Sequence, residues 1–273
     1  KPDASSQMFR NGLKIYPLSA AANPPQMEFA NASRVSFNTI HANDFEFYEE
    51  LDHVIQREPL ELFDPEVRGL AAAIGIRKGQ KFAPDARMRK ILTDAVAVGN
   101  ATARAIAFRN RDPRAPLYPN SRWQTGFIGD DYRWLDGDGL GGRNFDARTR
   151  FFYMATVNTP AMALKMVGIG SQYAIISADK DGGDLDGART YRLNIPPNAP
   201  AKDFWSVVVY DPQTRSELQT SQPFPSKNNQ RDKLITNADG SVDLYLGPEP
   251  LAGKEANWIA TVPGKGWFAL FRL

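Results

Sequence analysis

The rhythm of apolar and polar positions changes twice along the chain. Over residues 1–40 the apolar positions fall in short runs, LKIYPL at 13–18 and SRVSF at 33–37, broken by AANPPQ at 21–26. That pattern predicts strands joined by Pro-rich turns. From residue 43 the period becomes helical. Asn43-Asp44-Phe45-Glu46 has capping-box spacing, and Tyr48, Leu51, Val54 and Ile55 form an apolar stripe that stops before Pro59. Asp64-Pro65 is a second start signal, a cap followed by proline at the first helical position, with Gly75 as its stop. Pro84-Asp85 opens the longest predicted helix, through Met88, Ile91, Leu92, Ala95 and Val96 towards Phe108. Residues 111–146 then lose all periodicity, with Pro113, Pro116, Pro119 and the glycines of DGDGLGG at 136–142. Structureless stretches of this length are uncommon unless they carry function. ARTRFFYMAT after Asp146, and AMALKM after Thr159-Pro160, predict two further helical pieces.

From Gln172 onward the texture is that of strands. QYAIISAD, TYRLNI, FWSVVVYD, SELQT, SVDLYLG, ANWIAT and WFALFRL alternate with DKDGGDLDG, PPNAPAK, NADG and PGKG turn clusters at near-regular spacing. SVDLYLG alternates well enough to bury one face, whereas FWSVVVY predicts a strand covered on both sides. The expected fold is mainly β with a helical middle segment: strands over 1–42, helices over 43–165 with the long loop 111–146, and a C-terminal antiparallel β-sandwich or jelly roll over 166–273.

Composition narrows the chemistry. The 273 residues include no cysteine and two histidines, which excludes thiol nucleophiles, disulfide frameworks, zinc fingers and iron–sulfur clusters. With 33 basic and 31 acidic side chains, the net charge of +2 gives no global reason to expect nucleic acid or an anionic membrane. No apolar run approaches the ~18 residues of a membrane span, and KPDASSQMFRNG is not a signal peptide. G-x-S-x-G, Walker A and G-x-G-x-x-G followed by a helix are all missing.

Two clusters of candidate residues stand out. His41 precedes a helix start with Asp44 three residues on, and a carboxylate that orients an imidazole is a general-base arrangement; the competing reading makes Asp44 a helix cap. In YPNSRWQTGF, Arg122 beside Trp123 offers a guanidinium and a flat apolar face, a pairing suited to sugars, aromatic acids or carboxylates. The competing reading anchors Trp123 on the core and Arg122 on backbone carbonyls. Tyr153 and Lys165, on helical segments, can face the same cavity. Arg104, Arg109, Arg111 and Arg114 read as a solvated helix end. Metal sites are limited by the two histidines, and no metal ligand is assigned. The run Asp179–Asp186 has oxygen ligands like a calcium loop, but glycine stands at its fifth position and the closing glutamate is missing, so a polar hairpin turn is expected.

The blocks NTIHANDFEFYEEL (38–51), KFAPDARMRKILTDA (81–95), YPNSRWQTGF (118–127), ARTRFFYMAT (147–156), TPAMALKMVGIGSQYA (159–174), TYRLNIPPNAPAKDFWSVVVYDPQTRSELQT (190–220) and GPEPLAGKEANWIATVPGKGWF (247–268) closely resemble a bacterial paired family, DUF-1254 followed by DUF-1214. The resemblance covers nearly the whole chain. It implies a C-terminal β-sandwich, a mostly β N-terminal domain, and a periplasmic or secreted location; it supplies no activity. Members carry a longer N-terminal domain and a tail with a Tyr-Gly-Pro-Leu-Glu-like motif, so the chain is expected to be a fragment. Residues 1–42 would then be the remnant of a β domain, and the missing part a partner. The function expected is an envelope protein that binds a small polar or carbohydrate-like ligand through Arg122, Trp123, Tyr153 and Lys165, with His41 and Asp44 as a hydrolytic pair if it is an enzyme. The alternative is a non-catalytic structural or oligomerisation module, and a homo-oligomer is compatible with both.

Overall fold

The computed structural model describes residues 2–35, 38, 40–155, 157–164 and 170–273. Residues 1–39 and 40–273 form two compact units. In the first, helix α1 (Pro2–Gly12) is followed by a single 3-10 turn at Leu18–Ala20. The strands expected over 13–18 and 33–37 do not form among the described residues. Ile15 and Leu18 are largely exposed, and the Phe9 and Phe29 rings meet edge to face at 6.0 Å. A short apolar run becomes a strand only where a partner strand pairs with it, and none does here.

The second unit begins with helices whose ends follow local chemistry. Asp44 accepts the Glu46 N–H at 3.0 Å at the mouth of α2 (Glu46–Arg57), while Asn43 turns away to pair with Asn100. Asp64 accepts the Glu66 N–H at 2.9 Å and Pro65 opens α3 (Pro65–Ala73), which ends before Gly75 at a φ of 91°. Asp85 accepts the Met88 N–H at 2.7 Å to start α4 (Ala86–Phe108). Tyr48, Ile55, Ala71, Ile76 and Leu92 form the core that these helices share. Lys78 reaches back to the open end of α2, its ammonium donating to the carbonyls of Gln56 and Glu58 at 2.7 and 2.8 Å. A cation there satisfies acceptors that the helix leaves unpaired. Helix α5 (Phe145–Met154) packs on α4, and α6 (Pro160–Ala163) is a single turn.

Seven strands follow: β1 (Tyr173–Ile176), β2 (Tyr191–Ile195), β3 (Ser206–Tyr210), β4 (Ser226–Asn228), β5 (Val242–Gly247), β6 (Trp258–Ala260) and β7 (Phe268–Arg272). They make a four-stranded sheet in the order β1-β7-β3-β4 and a three-stranded sheet in the order β2-β5-β6. Every pair is antiparallel except β5–β6, which is parallel and corrects the expected all-antiparallel arrangement. A 3-10 turn at Glu255–Asn257 lies in the connection that lets β6 run the same way as β5. Val207, Val209 and Ala269 from one sheet meet Ile195, Leu244, Leu246 and Ile259 from the other in one core with Trp205 and Trp267. Helix outweighs strand, 29% against 15%, so the chain mixes helices with a sheet-rich C-terminal region and is not mainly β. The physical reason is the length of the strands, three to six residues each, with long connections between them.

Candidate functional site

The long loop after α4 is held by charge. Asp112 accepts from the Arg114 guanidinium, from the Arg114 N–H and from Asn144, and the Arg114 hydrogen bond holds its carboxyl down to about 2. Arg114 spans on to Asp136 at 2.8 Å. Gln124 then pairs its backbone with Ile175, N–H to carbonyl in both directions at 2.8 and 2.9 Å, so the loop lies along the outer edge of β1. Beneath it Arg150, 1% exposed, donates to the Thr125 carbonyl at 2.5 Å and to Gln124 Oε1 at 3.1 Å. Its Nε has no partner, and burial draws its pKa down to about 10, so the guanidinium stays charged at neutral pH.

This anchoring carries Arg122 and Trp123 to the edges of the two sheets. There a cavity of about 520 Å³ opens, walled by Trp123, Tyr191, Trp267 and Leu246, with the cations Arg122, Lys180, Arg189 and Arg192 and the carboxylates Asp179 and Asp181 around it. Trp267 is 5% exposed and its indole N–H has no hydrogen-bond partner. Tyr191 meets it edge to face at 5.4 Å and is fixed by the Asp186 N–H, which donates to its hydroxyl at 2.9 Å. Trp123 leans on Phe271 at 6.0 Å. Arg122 is exposed, lies against Gly182, and forms no ion pair or hydrogen bond among the described residues. It is not tied to backbone carbonyls, and Trp123 is only half-buried.

His41 lies elsewhere. Its Nε2 and Nδ1 are 2.7 and 3.3 Å from an Arg215 nitrogen, and the Arg215 guanidinium stacks 4.4 Å from the Tyr153 ring. Asp44 spends its side chain on the α2 N-terminus, so the polar partner of the imidazole is an arginine and not the expected carboxylate. Burial and then the Arg215 charge push the His41 pKa down, against a smaller upward pull from Glu50. Arg215 sits at a φ of 59°, a strained setting for a residue other than glycine, in the turn between β3 and β4. The structure thus joins Tyr153 to His41 through Arg215 and keeps Arg122 with Trp123 at a separate cavity. Lys165 lies outside the described residues.

Because the folded His41 takes up a proton less readily than an unfolded one, its contribution to stability is full above the ordinary value of 6.5 and is lost as pH falls through the lowered folded value. The urea midpoint is expected to decline between pH 8 and 5.5, and His41→Gln to flatten that decline. An unchanged slope in the variant would move the cause to other groups.

Asp179 accepts the backbone N–H groups of Asp181 and Gly183, at 3.0 and 2.8 Å, and Lys180 pairs with Asp181. The segment closes as a hairpin turn, with Gly182 at a φ of 88°. Among the described residues no group of three or more histidines, aspartates and glutamates is arranged to hold a metal ion. No helix among them is long and apolar enough to cross a membrane.

Residues 170–273 match the family described as "Protein of unknown function (DUF1214)". The matched residues hold the seven strands, and with them Tyr191, Trp267 and Gly182 of the site. No curated protein matches the chain. Among solved structures, the VPA0106 protein from Vibrio parahaemolyticus is similar at 18% identity with a TM-score of 0.38, over 92% of this chain and 54% of that one. A putative uncharacterized protein from Burkholderia cenocepacia is similar at 16% identity and a TM-score of 0.29, over 69% and 39%. The chain spans about half the length of the first and less of the second.

The sequence had singled out Arg122 and Trp123, but Tyr191, Trp267 and Arg215 carried no signal of their own. Each sits at the edge of a strand or in a turn, where its neighbours come from distant segments.

Proposed function

We propose that the cavity between the sheet edges binds a small carbohydrate-like or aromatic ligand that carries a negative charge. Trp123, Tyr191 and Trp267 supply flat apolar faces, and Arg122 supplies the cation. The observation that carries this reading is that Arg122, which forms no ion pair or hydrogen bond among the described residues, lines one cavity with three aromatic side chains. The reading is one of binding: the hydrolytic pair expected from His41 and Asp44 has no part in it, since neither side chain lines the cavity. On the same reading the two sheets act as a β-sandwich scaffold, and the protein works in the bacterial envelope, as its resemblance to the paired DUF-1254 and DUF-1214 proteins implies.

Tryptophan fluorescence titrated with glucuronate, glucose and benzoate tests the proposal. Saturable quenching by glucuronate or benzoate is expected, with Arg122→Ala weakening it by about tenfold, the loss of one charge-assisted hydrogen bond. His41→Gln should leave the titration unchanged. No saturable response to any of the three, or an equal response in Arg122→Ala, would sink it.

A further inference from the structure

On the other side of Arg122 lies a second cavity of about 510 Å³, lined by Arg109, Arg111, Arg122, Gln124, Ser177 and neighbouring residues, none of them a carboxylate. Three guanidiniums around one space repel one another unless something negative sits between them. Arg109 has a carboxylate nearby, Asp184 at 2.6 Å, but both side chains are mostly exposed and such pairs exchange readily. Arg111 and Arg122 have no hydrogen bond or ion pair among the described residues.

The carbonyl end of α4 explains only part of this. A helix C-terminus attracts cations, which accounts for Arg109. However, its last acceptors are already engaged: Arg109 N–H takes the Ala105 carbonyl, Asn110 that of Ile106, and the Ser177 hydroxyl that of Phe108. Arg122 arrives from a different segment altogether. Behind the cavity, one hydrogen bond away through Gln124, stands the buried charge of Arg150, with its unpaired Nε. With Gln124 Oε1 accepting from Arg150, the Gln124 amide nitrogen is left as a donor. Asp112 acts on Arg150 electrostatically but is itself bonded to Arg114, and the buried guanidinium adds positive field at the cavity.

We infer that this cavity is an oxyanion site, for the tetrahedral group of a phosphate or sulfate ester. A carboxylate has two oxygens to share, whereas guanidiniums converging from two segments match a group with three or four. Arg122 belongs to both cavities, so one ligand can lay its ring on Trp123 and its ester group among the arginines. This extends the reading proposed above, and the anion site shares Arg122 with it while adding Arg109 and Arg111.

Isothermal titration calorimetry at fixed ionic strength, with inorganic phosphate, sulfate and chloride, tests the site directly. Saturable 1:1 binding of phosphate or sulfate over chloride is expected, weakened at least tenfold in Arg111→Gln; the stronger of the two anions names the ester. Glucose 6-phosphate should bind more tightly than phosphate, and that gain should vanish in Trp123→Ala. Heats no larger than those of chloride, or phosphate and sulfate binding indifferent to Arg111→Gln, would overturn the anion site. Phosphate binding without any gain from the sugar would keep the anion site and overturn the link between the cavities.

Discussion

Gly187→Ala should destabilise the protein by about 3 kcal/mol, at the upper end of overpacking costs. Gly187 lies where the segment before β2 runs along the turn before β7. Its N–H donates to the Lys265 carbonyl at 2.9 Å, and the Thr261 hydroxyl donates to its carbonyl at 2.8 Å. A Cβ at this position would stand 2.1 Å from the Val262 carbonyl oxygen and 2.8 Å from that of Lys265. Both obstacles are backbone, so no rotamer change relieves them. The segments must part, and with them the bond from the Trp267 backbone N–H to the Leu185 carbonyl, next to the core that holds the indole. A loss of that size lowers the melting temperature by roughly 10 °C for a unit of this length. Gly99→Ala is the internal control. Gly99 is exposed in the middle of α4, and a Cβ there would meet nothing within 4 Å, so alanine should stabilise by about 0.5–1 kcal/mol. If thermal unfolding shows the two variants alike, the contact between the segments is looser than its geometry requires.

What the sequence made legible follows how local each signal was. Asp64-Pro65 and Asp85 name their helices because a cap and its N–H lie two or three residues apart. The alternation of SVDLYLG was sufficient for β5, which buries Val242, Leu244 and Leu246. The three polar residues of β4 carry no strand signal, and they are a strand only because β3 pairs with them. LKIYPL fails in the opposite sense, apolar in pattern but without a partner. At the site, Arg122 and Trp123 were readable because they are adjacent. His41 and Asp44 are close in sequence too, yet the helix end claims the carboxylate, and the imidazole meets Arg215 from 174 residues away. Tyr153 joins His41 only through that same arginine. Proximity along the chain identified groups able to interact; the local bond of Asp44 to the Glu46 N–H and the distant Arg215 decided which of them did.

Arg150→Ala is expected to cost about 3 kcal/mol, and Arg150→Met only about 1, because two opposing effects act at this position. The guanidinium is desolvated almost completely, and that works against the fold, as its lowered pKa shows. Methionine removes the charge while keeping most of the stem volume, so its net cost is the Thr125 carbonyl and the Gln124 amide left without their donor. Alanine adds an empty space on top of the same loss. Urea unfolding of the pair separates the terms: equal losses would mean that the hydrogen bonds dominate and packing contributes nothing. The methionine variant also bears on the anion cavity. With so small a cost it is expected to fold, and it leaves Arg109, Arg111 and Arg122 in place while removing the buried cation behind Gln124. Phosphate affinity should therefore fall in Arg150→Met even though residue 150 does not line the cavity. Unchanged phosphate affinity in that variant would remove Arg150 from the account of the anion cavity and leave it a structural residue that holds Thr125 and Gln124.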